Sequence, residues 1–333
     1  MSRLFIGRGL ETEANVYLDA GKSRAILICG KRGSGKSYTM GVIIEELHRT
    51  ADVTILVVDP MGIFHTMSLP NSEQESIIWD WGDTPRALPV KVVVPGDPVE
   101  RYGGPDIVHE MERRGVEFRS LAVNPSDVSP ESWCDSFATS INEPMGIALM
   151  KAIRRCRQKY GKEGYFISEI ASEVLVDPRA NDRTIDALVN RLEMADQWGI
   201  FASDHYHELS EVLDPDSVNV LDLSVIDSGR YGRRGLILSV LCRDLFRKRS
   251  VARRREELGL APSKRKLWLL IDEAHQFAPV GKSALGKEDL TRWVKEGRQP
   301  GLSLVVASQQ PSAVDSEILS QCDVILSHAL TTR

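Results

Sequence analysis

Between Gly30 and Ser37 the chain reads GKRGSGKS: two glycines separated by four residues, then a lysine and a serine. Glycines at these positions let successive backbone N–H groups curl around phosphate oxygens. A helix opening at the same point adds partial positive charge. Lys36 has the reach for the β- and γ-phosphates, and the Ser37 hydroxyl can ligate Mg²⁺. Gly30, Lys31, Arg32, Gly33, Ser34, Gly35, Lys36, Ser37 and Tyr38 are therefore expected to bind nucleotide, with ATP and Mg²⁺ as cofactors. A glycine-rich turn that binds nothing is the bland alternative. An apolar run before the motif and a helical pattern after it speak against that alternative.

A phosphate cradle of this kind needs a carboxylate at the tip of a neighbouring strand. KLWLLIDEAHQF ends an apolar run in Asp272 and Glu273, and VTILVVDP ends one in Asp59. The first fits better because a second acid follows at once. Asp272 would hold the metal through water and Glu273 would polarise the attacking water. An acidic strand end can also serve only as a helix cap. Adjacent acids favour a hydrolase over a small-molecule kinase. Asp59 is then a secondary site residue or a turn-former before Pro60. LSLVVASQQP puts Ser308, Gln309 and Gln310 at a third strand end. An amide there can sense the γ-phosphate, or the stretch is a polar exit before Pro311. In RWVKEGRQPG, Arg298 is a surface charge or, in a ring, an arginine that grips a neighbouring subunit's γ-phosphate.

These groups need a scaffold that brings strand tips together. RAILICG, VTILVVDP, VKVVVPG, SVNVLDLS, KLWLLIDE, LSLVVASQ and DVILSH read as buried strands, and FRSLAVNPSDV (118–128) as a partly exposed one. Helical periodicity lies between them, which implies an α/β chain with a mostly parallel sheet flanked by helices and right-handed crossovers. From 129 the texture becomes helical with serine or asparagine near the starts, so 129–205 reads as a helical insertion.

The chain has 333 residues, a formal net charge of −5 and five scattered cysteines. Affinity for nucleic acid must therefore come from local basic patches. The cysteines read as reduced thiols. Apolar runs are strand-length and the N-terminus lacks a signal peptide's apolar region, so no membrane span and a cytoplasmic location are expected. Basic segments lie at 151–159, 230–235 and 242–266. They are solvated helix faces and loops, or a positive surface that grips phosphates along a pore, for which RYGRRG (230–235) is the first choice. His65, His109, His205, His207, His275 and His328 invite a metal reading, but only the pair in HYH (205–207) is close, and a surface loop explains it. There is no guanine-reading NKxD, no LSGGQ-like signature and no nuclease constellation, so any cutting is expected from a partner.

AILICGKRGSGKSYTMGVIIEEL, VVDPMGIF, LWLLIDEAHQFAP and WVKEGRQPGLSLVVASQQPSAVDSEILSQCDVILSH together resemble the HerA/FtsK superfamily, and more closely its HerA-type ATPases. The resemblance covers 24–333. It implies a RecA-like P-loop NTPase that forms a homo-hexameric ring and pumps duplex DNA during end resection, commonly with a NurA-like nuclease. Some relatives pair with other effectors in antiphage defence. By position, Lys36 and Ser37 resemble Walker A, Asp272 and Glu273 Walker B, and Gln309 the sensor. Arg298 resembles the trans-acting arginine and Arg24 a second phosphate-directed arginine. The implied organisation is a hairpin-like extension (1–23), a first core segment with the P-loop (24–128), the insertion (129–205) and a second core segment (206–333). HerA proteins usually carry an N-terminal β-barrel, whereas here 1–23 suffices for a hairpin. The stop at SHALTTR, straight after a strand, suggests a trimmed tail. The expected function is an ATP-driven motor that translocates or unwinds duplex DNA. The alternative is a nucleotide-gated hexameric scaffold in a defence complex.

Overall fold

Strands without polar side chains cannot face water on either side, so they must be sandwiched between helices. The computed structural model, which describes residues 3–330 except 162, 203–211, 228, 230, 231 and 282, has this arrangement. Strands β1 (Arg3–Arg8) and β2 (Asn15–Asp19) form an antiparallel hairpin. The central sheet contains β3 (Ala25–Cys29), β4 (Val53–Asp59), β5 (Val90–Pro95), β6 (Val116–Leu121), β7 (Val218–Asp222), β8 (Lys266–Ile271), β9 (Leu302–Ser308) and β10 (Val324–Ser327). It has eight strands in the order β10-β3-β9-β8-β4-β7-β5-β6. Every pairing in it is parallel. Register aligns Cys29 with Ser308 and Asp59 with Asp222, so the chain leaves these strands along one edge.

Alternation sends neighbouring side chains to opposite faces. Ile26 and Ile28 pack with Met40, Ile43 and Leu47 of helix α1 (Lys36–Thr50), which also carries the hairpin through the Phe5 N–H bond to Glu46 Oε2 at 2.7 Å. Leu27 and Cys29 face the other way. Among the described residues, four helices between β6 and β7 lie there, namely α5 (Pro130–Ser136), α6 (Pro144–Tyr160), α7 (Ile167–Leu175) and α8 (Asp182–Asp196), and beyond them α9 (Arg233–Glu257) and α10 (Lys287–Glu296). Shorter helices are α2 (Glu75–Asp80), α3 (Pro98–Tyr102), α4 (Pro105–Arg113) and α11 (Ser316–Ser320), of which α3 and α4 pack at the β5 and β6 end of the sheet. Ile26, Ile28 and Trp268 are fully buried, and each such side chain contributes about 2 kcal/mol of transfer free energy.

Two of the helices between β6 and β7, α5 and α8, begin where the sequence offers caps. Ser129 accepts the Ser132 N–H with Pro130 at the first turn, and Asn181 accepts the Thr184 N–H. Trp133, Leu149, Ile153 and Leu192 belong to the same apolar cluster as Leu27 and Leu56, so these helices share the sheet's core. Val123 bonds backbone to backbone with Ile200 and Ala202, which brings the chain back alongside the sheet. The strand expected over 118–128 runs Val116–Leu121 instead. Asn124 turns the chain by accepting the Ser126 N–H, and Pro125 has no N–H for a ladder. No helix among the described residues is long and apolar enough to cross a membrane.

Candidate nucleotide site

The P-loop leaves β3 at Gly30 and enters α1 at Lys36. Gly33 and Gly35 have φ of +72° and +95°, a left-handed backbone that glycine adopts without strain. At Gly30 a Cβ would stand 2.5 Å from Ser34 Oγ and 2.6 Å from His328 Cβ, so the close turn itself requires glycine. The amino end of α1 has no side-chain cap and no acid in its first turn among the described residues. Ser34 Oγ is buried and, among the described residues, lacks a hydrogen-bond partner. Buried Lys36 donates from Nζ to the Lys31 carbonyl at 3.1 Å. An unpaired hydroxyl, an uncapped helix amino end and a lysine gather at one turn, which fits an oligophosphate with its many acceptor oxygens.

Asp272 and Glu273 follow β8, one strand beyond β9 in the sheet. Ser37 Oγ donates to Asp272 Oδ2 at 3.1 Å. A hydroxyl and a carboxylate at that separation suit a small hard cation held by oxygen ligands. Burial, the largest influence, raises the Asp272 pKa above the usual carboxylate range, the Glu273 N–H opposes it, and the Glu273 charge adds to it. Glu273 has φ +48° and ψ +46°, a left-handed backbone that costs a residue with a side chain about 1 kcal/mol. Gln309 Nε2 donates to Glu273 Oε1. His275 Nδ1 lies 3.3 Å from Glu273 Oε2 and 3.4 Å from Ser308 Oγ.

β10 closes the other side of the P-loop. Lys31 N–H donates to the Ala329 carbonyl at 2.8 Å, and Thr39 Oγ1 lies 3.1 Å from His328 Nε2. Asp59 accepts the N–H groups of Met61, Gly62 and Phe64, so its carboxylate shapes the turn after β4. Burial pushes its pKa up to about 6, with the Asp222 charge adding and the three N–H bonds opposing.

Arg24 and Arg298 stand at the opposite edge of the sheet. Arg24 immediately precedes β3, and Ser23 Oγ donates to the Arg298 carbonyl at 3.3 Å, which sets the two arginine-bearing loops side by side. The five residues of β3 put about 15 Å between that edge and the chain's own P-loop. Arg24 leans on Asp19, with Nε donating to its carbonyl at 3.3 Å and Nη2 lying 3.7 Å from Oδ2. Arg298 is exposed. The fold thus gathers Lys36, Ser37, Asp272, Glu273 and Gln309 and leaves both arginines outside that group.

The family model described as the central domain of helicase HerA matches residues 4–245. The chain belongs to the HerA family. It is 24% identical to the DNA double-strand break repair helicase HerA of Pyrococcus furiosus, over 94% of this chain and 58% of that protein. It is 22% identical to the protein of the same name from Sulfolobus acidocaldarius, over 94% and 56% respectively. The chain thus spans little more than half the length of these HerA relatives. The structure of VirB4 from Thermoanaerobacter pseudethanolicus superposes with a TM-score of 0.54 at 14% identity, covering 92% of this chain and 76% of that one, which shows a shared fold.

For this HerA-family chain, sequence reasoning passed over two residues that the fold brings to the site, His275 and His328. Both entered only as candidate metal ligands. His275 had a usable signal, since it sits two residues after Glu273. His328 had only its place after the last strand. Among the described residues no group of three or more His, Cys, Asp or Glu side chains is placed to hold a metal ion. His205 and His207, and Arg230 and Tyr231 of the pore candidate, lie outside the described residues.

The basic segments carry acidic partners within the fold. Lys151 pairs with Asp177, and Arg155 and Lys159 pair with Glu173. On α9, Lys248 pairs with Asp244, Arg249 with Glu256 and Arg253 with Glu257, while Arg265 reaches Asp216. Much of the charge in 151–159 and 242–266 is therefore neutralised locally.

Proposed function

We propose that this chain hydrolyses ATP at sites shared between adjoining copies of a homo-hexameric ring and uses the energy to translocate or unwind duplex DNA. The observation that carries the reading is the separation of roles across the sheet. Lys36, Ser37, Asp272, Glu273 and Gln309 cluster at one edge, while exposed Arg298 stands at the other, too far to serve its own chain.

In this reading Lys36 and the P-loop N–H groups bind the β- and γ-phosphates. Ser37, and Asp272 through water, would hold Mg²⁺, which neutralises charge on the phosphate oxygens. Glu273 accepts a proton from the attacking water and the Gln309 amide orients that water. Arg298 of the adjoining copy stabilises charge developing on the γ-phosphoryl oxygens. Residues 24–128 and 206–333 act as one motor core, with 129–205 inserted and 1–23 as an extension. A nuclease or another effector protein is the expected partner, because nothing in the sequence offers cutting chemistry.

The local pairing of the basic segments gives weight to a second reading, in which ATP binding organises a ring and an effector in a defence complex and DNA pumping is incidental. Negative-stain imaging with an ATP analogue and duplex DNA, beside a phosphate-release assay, tests the motor. Sixfold rings threaded by DNA and turnover that rises with DNA are expected. Persistent monomers would remove the role of Arg298. Rings with DNA-independent turnover and no translocation would leave the scaffold.

A further inference from the structure

We propose that His275 is a positioning residue for Glu273: its Nδ1 holds one carboxylate oxygen while the Gln309 amide holds the other, which fixes the direction from which the carboxylate meets water. The inference rests on the reading of Glu273 as general base.

Glu273 leaves β8 with φ +48° and ψ +46°. A residue with a Cβ keeps that backbone only where its surroundings over-determine it. Those surroundings are visible at both oxygens. Gln309 Nε2 donates to Oε1. Oε2 is buried and has no hydrogen-bond partner among the described residues, and the His275 ring nitrogen Nδ1 stands 3.3 Å from it. The contact has the poor alignment common at catalytic groups before substrate binds, and in the Nδ1–H tautomer a turn of the ring would aim its proton at Oε2.

The same ring nitrogen also faces β9. Ser308 Oγ, at a fully buried position, accepts the Gln310 N–H at 3.1 Å and lies 3.4 Å from Nδ1, where in the Nδ1–H tautomer it is a second acceptor for the one ring proton. One arm on Glu273 thus comes from its own turn (Ala274–Gln276) and faces the tip of β9, and the other comes from β9 directly. Any change in the spacing of the β8 and β9 tips turns the carboxylate. Free rotation of Glu273 would scatter it among poses that do not face the water, a loss that appears in turnover and not in nucleotide binding.

The test uses the full chain with Mg²⁺ and ATP, measuring kcat and KM by phosphate release and affinity for a non-hydrolysable ATP analogue, with melting temperature as the folding control. His275→Ala is expected to lower kcat by about 10- to 100-fold and to leave KM and analogue affinity within about threefold. His275→Asn places an amide nitrogen where Nδ1 stands and should recover most of kcat. His275→Gln places its amide farther out and should stay as low as alanine. A wild-type kcat in His275→Ala, a raised KM with unchanged kcat, or no recovery in a well-folded His275→Asn would each overturn the proposal. Glu273→Gln is the separate arm. If it turns over normally, the general-base reading fails; if it is inactive while His275→Ala is not impaired, only the positioning role fails.

Discussion

At the carboxyl-terminal edge of the sheet, polar groups are buried and bonded to one another. Asp272 is 2% exposed, Glu273 6% and Ser308 0%, and Ser37, Gln309 and His275 complete the set. At the amino-terminal edge Arg298 is exposed and Arg24 leans on Asp19 at the surface. One edge has pre-organised chemistry gathered around the P-loop. The other has cations and no cradle. A parallel sheet enforces this division, because residues just before a strand and just after it are a strand's length apart. In the proposed ring, the two halves would meet where two copies stack edge to edge.

The largest expected effect tests the buried edge alone. Glu273→Gln should lower ATP turnover by about 10⁴-fold while analogue affinity holds, because the amide keeps the shape and loses the base. Loss of nucleotide binding in that variant would show that the edge is a structural unit, and its division from the arginine edge would lose its meaning.

Next comes Arg298→Ala, expected to cost about 10³-fold in turnover without weakening binding by the single chain. Mixing sharpens the comparison. Arg298→Ala subunits have a sound cradle and Lys36→Ala subunits a sound arginine, so a mixture of two inactive proteins should regain phosphate release. No recovery, with mixed assemblies present by native mass spectrometry, would mean that the two edges do not meet.

The two edges also differ in how far the sequence revealed them. The cradle was legible because Gly30 to Ser37 is a covalent spacing, and the strands because uninterrupted apolar runs admit few other environments. Asp272 and Glu273 followed from their place at the end of one such run. The partners were not legible, since contact is set by the sheet. Ser308 meets His275 across 33 positions and His328 meets Thr39 across 289. The basic segments read as a positive surface because Arg265 and its partner Asp216, 49 residues away, are joined only in the fold. Asp59 stayed open between site residue and turn-former, and its three backbone N–H bonds give it the turn.

A smaller effect is expected where the P-loop is clasped. Gly30→Ala places a methyl 2.5 Å from Ser34 Oγ and 2.6 Å from His328 Cβ. Ser34 can rotate, but His328 is tied to β3 through its N–H bond to the Cys29 carbonyl at 2.8 Å. The crowding should cost about 1–3 kcal/mol, read as a lower urea midpoint together with weaker analogue binding. A variant of unchanged stability and affinity would show that the segment after β10 yields freely and does not shape the cradle.

The two edges should also respond to acid with opposite sign. Asp59 has its pKa raised from 3.8 to about 6 by burial, so the folded chain binds more protons there than the unfolded one between those values. Its contribution to stability is then present at low pH and lost as pH rises through the window, by roughly 3 kcal/mol at most. At the amino-terminal edge Asp214 is held below the usual range, chiefly by its bond with Lys91 Nζ at 2.6 Å. Its contribution is present above pH 3.8 and lost as pH falls through the depressed value. Urea midpoints measured from pH 3 to 7 separate the two. Asp59→Asn should flatten the decline between about pH 4 and 6, although one N–H loses its acceptor and overall stability drops by about 1 kcal/mol. Asp214→Asn should leave that decline intact and soften the loss on the acid side. If both variants kept the wild-type slopes, burial at one edge and ion pairing at the other would not be the forces that distinguish them.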